Sequence, residues 1–468
     1  MGRRESLSRI YLKPRWESFL SQDSKGNLFI DTISVNYLAK KYGTPLYILV
    51  EKEIRKRLRR FKKAFPYPKL RVQYACKCNS NLEILRIVRE EGMELDASSV
   101  GEIILAMLAD FKPKQITFTN LYKSEQDITF AAKVGVQAIT SDSVEELKRI
   151  EEVGRKLRKR INIFIRVNPM IEHGSYSTRH HQYGVPITQA YRAIDFAIFD
   201  AKYLNLIGLH FHGSYISNPI VYSIAAKKLI KLMSYCADYG VILKSIDLGG
   251  GFPVEYNSKK VFQPEDMGER FVHLFKKQLE KNELPLPTLI FEPGKFIVAN
   301  AGIGLIKVIS EKKLGRNKKT IITTGSTYAM LPDPLIYDCY YEILPANRML
   351  SRRVDVVDIA GCTCDSIDII GHNRKLPKLE EGDLLAVMDC GAYSNVMASN
   401  FNTLRRPPMV MIKSNGTIKM IRRSDRYSEM FAPELDVLKV GDPKELKGFY
   451  DLFRINVDKL WQGTGKKK

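Results

Sequence analysis

Between residue 46 and about residue 300 the chain repeats one rhythm, a short β-rich run, a turn, then an amphipathic segment. The runs are Val72–Cys76, Met93–Ala97, Ile116–Thr119, Ala138–Thr140, Ile161–Val167, Leu206–His212, Ser245–Leu248 and Thr288–Glu292. Helical patterns lie between them, among them Asn81–Glu91, Val100–Ala109, Ser143–Leu157 and Ser223–Tyr239. Ser143 followed by Glu146 reads as a capping box. Eight alternating units in about 250 residues is the count for a TIM-type (β/α)8 barrel. A doubly wound sheet would need Gly-x-Gly-x-x-Gly after its first strand, and none is there.

After about residue 310 the long helices fade and short β runs follow: Lys319–Thr323, Val354–Ile359, Leu384–Met388, Met409–Ile412 and Lys419–Arg422. The expected organisation is an α/β barrel over 46–309 and a C-terminal all-β domain over 310–431. Residues 1–45, with a β-like run at Leu28–Ile30, are expected to pack with the β domain. Residues 432–468 read as a basic amphipathic extension. No run approaches the ~18 apolar residues of a membrane span. Arg3 and Arg4 have no apolar signal region behind them, so a cytoplasmic location is expected.

The net charge of +22 raises the question of nucleic acid. The basic residues are dispersed, and no stretch interleaves them with aromatics as a single-strand binder does. Anionic substrates, a basic cytoplasm or a thermophilic lifestyle account for the charge, with no nucleic-acid or membrane partner. Seven cysteines, an odd number scattered through a long chain, do not make a disulfide scaffold. The pairs Cys76/Cys78 and Cys362/Cys364 lack matching histidines nearby, so no metal is expected there.

Working residues of such barrels sit at the carboxyl ends of the strands. Here those ends carry Lys77, Asp96, Arg166 with Asn168, His210 with His212, Gly249–Gly251, and Glu292 with Gly294. A triple glycine after the seventh run lets backbone amides approach an anion closely. Phosphate sites in these barrels recur after strands seven and eight. Glu292 falls where a carboxylate could keep a pyridinium protonated. One of the two histidines would cover such a ring, while a metal pair is the competing reading. With Lys77, the set points to pyridoxal phosphate.

These segments resemble the fold-type III pyridoxal phosphate decarboxylases, the family of the ornithine, diaminopimelate and arginine decarboxylases with an alanine racemase-like barrel. Tyr74-Ala75-Cys76-Lys77-Cys78-Asn79 is similar to the family's cofactor-lysine motif. Gly208-Leu209-His210-Phe211-His212-Gly213-Ser214 resembles its ring-stacking segment, with His212 the stacker and Ser214 near the phosphate. Gly249–Pro253 and Glu292–Lys295 resemble the phosphate and pyridinium motifs. Gly361-Cys362-Thr363-Cys364-Asp365-Ser366 is similar to the segment that a partner subunit inserts into the site, and Asp389–Tyr393 to the one whose tyrosine reaches the cofactor. The similarity runs from about 44 to 431. It implies a homodimer with shared sites, cofactor contacts from Arg166 and Tyr393, and Cys364 as proton donor. The implied reaction is α-decarboxylation of an amino acid, first of all meso-diaminopimelate to L-lysine.

Departures from the pattern bear on the substrate. Lys295 stands where the family usually has arginine, and a lysine loses the bidentate fork. The histidine segment is one residue short. An acid, Asp333, stands where the diaminopimelate branch places a carboxylate-binding arginine, and Asp365 replaces a glutamate. With Tyr337, Asp338 and Tyr393 these residues line the expected substrate region, and the three aspartates would suit a cationic tail such as that of ornithine, lysine or arginine. On the other reading Arg405 or Arg406 binds a substrate carboxylate. Glu292 argues against a racemase, and Lys77 together with Cys364 argues against a silent regulatory relative.

Overall fold

A computed structural model describes residues 12–257, 259–315 and 319–438. The extension expected over 432–468 therefore lies outside the described residues beyond 438, as do residues 1–11. The chain forms two compact units. One holds Val50–Gly302 and Asp389–Val396; the other holds the described parts of Met1–Leu49, Ile303–Met388 and Met397–Lys468.

Eight parallel strands close the first unit: β1 (Leu70–Ala75), β2 (Glu94–Ala97), β3 (Ile116–Thr119), β4 (Ala138–Ser141), β5 (Ile161–Asn168), β6 (Leu204–His210), β7 (Ser245–Asp247) and β8 (Thr288–Phe291). β8 pairs with β1, and β4 pairs with β5, so the sheet has no edge among these strands. Every residue of β3, β4 and β7 is buried, as expected of barrel strands covered by helices. Polar interior residues bond to one another: Gln73 Nε2 donates to Thr117 Oγ1 at 2.9 Å, and Thr119 Oγ1 donates to Thr140 Oγ1 at 3.0 Å.

Helix starts follow their caps. Asn81 accepts from the Glu83 N–H, and Ser99 from that of Glu102. The expected box at Ser143 is only half formed. Ser143 accepts from the Glu146 N–H, but the Glu146 carboxylate accepts from the Asp142 N–H at 2.9 Å and from Lys123. The carboxylate thus serves a buried ammonium and the backbone of Asp142 instead of the Ser143 N–H.

β6 ends at His210, two residues short of the expected run, after a register irregularity between Leu206 and Gly208. A Cβ on Gly208 would lie 2.4 Å from the Ser245 carbonyl oxygen and 2.5 Å from the Phe164 ring. Glycine is needed there for the strands to approach.

The second unit is a mostly antiparallel sheet. Its strands run, in spatial order, Ile369–Leu376, Asp355–Ala360, Lys319–Thr323, Gly302–Lys313, Leu46–Val50, Met409–Ile412 and Ile418–Arg422, with Leu384–Met388 and Ile343–Pro345 alongside. Leu46–Val50 is apolar and buried throughout, so its sequence alone fits a barrel strand as well as this sheet. Residues 1–45 were expected here, and Leu28–Ile30 lies within this unit in a small three-stranded sheet. In the opposite direction, Asp389–Val396 leaves the β region of the sequence and joins the barrel unit.

Candidate active site

Lys77 lies in the short turn Cys76–Cys78 that closes β1, rather than in the strand itself. Its Nζ stands 3.5 Å from Asp96 Oδ2 at the end of β2. Burial works against the charged amine, but Asp96 and Glu292 outweigh it and raise its pKa. Burial, reinforced by the Glu292 charge, pushes the Asp96 carboxyl up to about 7 even with Lys77 opposing.

Glu292 follows β8 and is fully buried between two imidazoles. Its Oε1 lies 3.3 Å from His210 Nε2 and its Oε2 3.1 Å from His212 Nδ1. Burial raises its pKa, and the histidines more than reverse that, holding the carboxyl well below its ordinary range. Asp247, at the end of β7, is pushed well up by burial and then by Glu292. One of these neighbouring acids therefore keeps a proton while the other is ionised. Burial also lowers the pKa of His210 and takes that of His212 down to about 4, so the His212 ring is neutral. The two rings stack at 17° with centroids 6.4 Å apart.

His212 Nδ1 has two suitors, since the Gly250 N–H also approaches it at 3.1 Å. A neutral imidazole nitrogen either donates to Glu292 or accepts from Gly250, never both. Ionised Glu292 favours donation, which leaves the Gly250 amide for an anion.

Gly249 and Gly251 take positive φ of 65° and 97°, values that favour glycine. A Cβ on Gly250 would sit 2.4 Å from the Glu292 carbonyl oxygen, and one on Gly294 2.1 Å from Cys78 Sγ. The loop is anchored from behind. Tyr222 Oη donates to the Gly250 carbonyl at 2.9 Å, and Phe252 stacks on Tyr222 and packs edge-on to Phe61. The Gly250→Ala variant is expected to lose cofactor affinity and a few degrees of Tm, through overpacking of about 1–3 kcal/mol. Calorimetry and cofactor titration check this, and an unchanged affinity would remove Gly250 from the anion cradle.

Lys295 opens the helix Lys295–Val298, and its Nζ lies 5.7, 5.7 and 5.3 Å from the ring centroids of Tyr215, Tyr256 and Tyr393. Three aromatic faces favour a compact cation at that point. Tyr393 arrives on the segment Asp389–Val396. It is tied to the barrel by its N–H donating to the Cys78 carbonyl at 2.8 Å and by Asn79 Nδ2 donating to the Gly391 carbonyl at 2.8 Å. Arg166, on β5, donates to Asp142 Oδ1 at 3.2 Å and lies 4.7 Å over the Tyr183 ring. Ser214 sits half-buried in the turn after His212.

The remaining expected residues belong to the β unit. Cys364 is exposed, with Sγ 3.4 Å from Asn402 Oδ1. Asp365 accepts from Tyr328 Oη at 2.7 Å, a bond that lowers its pKa. Asp333 is buried and accepts from Tyr341 Oη at 3.1 Å. Tyr337 is exposed, and Asp338 borders an 830 Å³ groove with Arg353, Ile367 and Arg374. Arg406 is engaged by Asp425, Nε to Oδ2 at 2.8 Å, and Arg405 lies over Tyr427.

Pyridoxal phosphate fits the barrel residues. Buried polar atoms without a sound hydrogen bond converge there, on Asp96 Oδ1, both His210 nitrogens, Asp247 Oδ2 and Glu292 Oε1. Beside them stand a lysine amine and a cradle of glycines that side chains would fill. His210, His212 and Glu292 also offer one ligand atom each within 4.8 Å, the single such cluster among the described residues. The adjacent Lys77 and Arg166 charges oppose a metal cation there.

Residues 51–299 match the family model of the pyridoxal-dependent decarboxylases, pyridoxal binding domain. The chain belongs to this family. It is 31% identical to a diaminopimelate decarboxylase of Methanocaldococcus jannaschii, over 89% of this chain and 98% of that one. It is 34% identical to one from Methanothermobacter thermautotrophicus, over 87% and 95%. The crystal structure of the M. jannaschii diaminopimelate decarboxylase in co-complex with L-lysine superposes with a TM-score of 0.83 at 30% identity, covering 89% of this chain and 97% of that one. Membership accounts for the barrel, the second sheet domain and the use of pyridoxal phosphate.

Asp247, Asp142, Glu146 and Lys123 were not foreseen as part of this surround. Asp247 had a signal, an acid at a strand end directly before the glycines. Lys123 and Glu146 had none, because a lysine in a loop and a glutamate in a first helical turn are ordinary surface residues.

A pH effect follows from Asp96. Its folded pKa of about 7 lies above the ordinary value near 3.9, so its stabilising contribution is complete below about pH 4 and is lost as pH rises through about 7. Asp96→Asn is expected to narrow the difference in Tm of the cofactor-free protein between about pH 5 and about pH 8. An unaltered difference would mean that Asp96 is already ionised at the lower pH.

Proposed function

We propose that this chain removes one carboxylate of meso-diaminopimelate as carbon dioxide and leaves L-lysine. The observation that carries the proposal is the buried Glu292, held ionised between His210 and His212 at the barrel mouth that presents Lys77. Similarity to diaminopimelate decarboxylases over nearly the whole chain supports the substrate.

When bound, pyridoxal phosphate supplies an electron sink for the pair released as the C–C bond breaks. Lys77 would hold the cofactor through its amine. Glu292 would keep the ring nitrogen protonated, and His212 would cover the ring. The amides of Gly249, Gly250, Gly251 and Gly294 would take the phosphate, and Ser214 and Tyr393 would assist in holding the cofactor. Arg166 contributes positive charge near Lys77, and Lys295 presents a cation for the phosphate or a substrate carboxylate.

A homodimer completes the proposal. Cys364 is exposed, which leaves it accessible to a second subunit, and in the proposed dimer the partner subunit's Cys364 would give a proton to the α-carbon and regain one from water. A cytoplasmic location accompanies this reading. Among the described residues no helix is long and apolar enough to cross a membrane.

A second reading, decarboxylation of ornithine, lysine or arginine, draws on Asp365, whose ionised carboxylate suits a cationic tail. Asp333 lends it less, since its carboxylate is buried against Tyr341. Carbon dioxide release from meso-diaminopimelate, ornithine, lysine and arginine decides between the two. Turnover of diaminopimelate alone is the expected result, and turnover of a basic amino acid instead would overturn it.

A further inference from the structure

Behind Arg166 runs a chain of charges that no step above employs. Lys123, in the loop after β3, is wholly inaccessible to solvent at 0% exposure. Its Nζ donates to Glu146 Oε2 and to the Asn120 carbonyl, each at 2.9 Å, and its N–H donates to Glu146 Oε1 at 3.1 Å. Glu146 Oε2 also accepts from the Asp142 N–H at 2.9 Å. The Asp142 side chain then accepts from Arg166 Nη1 at 3.2 Å and from the Gly184 N–H at 3.0 Å. All four charged side chains are buried, and their formal charges sum to zero.

A bare stability role does not account for this arrangement. Desolvating an ion pair costs several kcal/mol per ion, and apolar residues of like volume commonly do as well or better. What an ionic chain adds is direction. Glu146 fixes the backbone of Asp142, and Asp142 has one oxygen for Gly184 and one for Arg166. The Tyr183 ring covers the guanidinium from another side. Arg166 thus keeps little rotational freedom, and its charge bears on the site, weakening the proton affinity of His210, His212 and Lys77.

We infer that Lys123 and Glu146 are positioning residues, which through Asp142 hold the Arg166 guanidinium at the cofactor-binding face of the barrel. The inference rests on the proposed cofactor site. It makes the loops after β3, β4 and β5 one electrostatic unit, with Lys123 its anchor farthest along the chain of contacts from Arg166.

A double-mutant cycle tests it on the full-length protein, with Glu146→Gln, Arg166→Met and the two combined. The readouts are the dissociation constant of pyridoxal phosphate from the resolved apoprotein, kcat and KM, and Tm. Glu146→Gln is expected to weaken cofactor binding about tenfold and to lower kcat, with KM changing less. In the Arg166→Met background it should add nothing to either loss, since residues that act through one group do not add. A loss of Tm confined to Glu146→Gln and carried unchanged into the double variant, with cofactor affinity intact, would make the pair merely structural and overturn the inference. So would additive losses of cofactor affinity. If Glu146→Gln fails to fold because Lys123 is left buried and unpaired, Lys123→Met with Glu146→Gln replaces it and removes both charges together. Failure of the unaltered protein to bind pyridoxal phosphate would instead sink the site assignment, which separates the two outcomes.

Discussion

Replacing Lys77 with alanine is expected to lower decarboxylation by at least about 10³-fold and to abolish the absorbance of protein-attached pyridoxal phosphate. The side chain stands directly after the end of β1 with its amine turned toward Asp96. It is also partly exposed, with 34% of its side chain accessible, so truncation leaves no large cavity. Tm of the apoprotein should therefore move little. The variant would leave Asp96 without its neighbouring cation, which pushes that carboxyl further toward its neutral form. Spectra of the variant incubated with cofactor, alongside carbon dioxide release, check the outcome. Turnover within about tenfold of the parent would place the attachment elsewhere.

The second large effect is expected at Glu292. Glu292→Gln keeps the shape and can still accept from a histidine, but it carries no charge to hold a ring nitrogen protonated. A loss of kcat of about 10²–10³-fold, equivalent to about 3–4 kcal/mol of transition-state stabilisation, is the scale for removing one preorganised electrostatic group. Cofactor binding should survive, because the glycine amides and Lys77 remain. Both histidines, already lowered by burial, lose the Glu292 charge that raises them, so the variant lowers both further. Steady-state kinetics with a cofactor titration separate the two properties. Loss of cofactor affinity with kcat unchanged in the residual holoenzyme would show Glu292 to be a binding residue and not an electronic one.

Much of the site was legible because barrel chemistry is written at strand ends. Lys77, His210, Gly249–Gly251 and Glu292 each end or follow a short β-rich run, and the alternation of runs and amphipathic segments places all of them at one end of the barrel. The glycines could be read as a close approach before any contact was seen, and the backbone of Glu292 turns out to be what a Cβ on Gly250 would strike. The surroundings of Asp333 were not legible in this way. The sequence shows an acid near a substrate motif, but it does not show the tyrosine eight residues on that engages it.

Period and punctuation in the sequence determined the eight-stranded barrel, the sheet that follows, and which strand ends bear reactive groups. Local patterns suffice for that, since they are set by each segment's own burial and turns. Only the tertiary structure decided which charges meet. Leu46–Val50 joins a sheet whose other strands lie hundreds of residues away, and Asp389–Val396 crosses into the barrel unit to set Tyr393 against Cys78. Glu146 left its expected cap for Lys123, 23 residues earlier in the chain. Such pairings depend on packing that removes water and leaves one partner in reach, a condition that no stretch of sequence carries by itself.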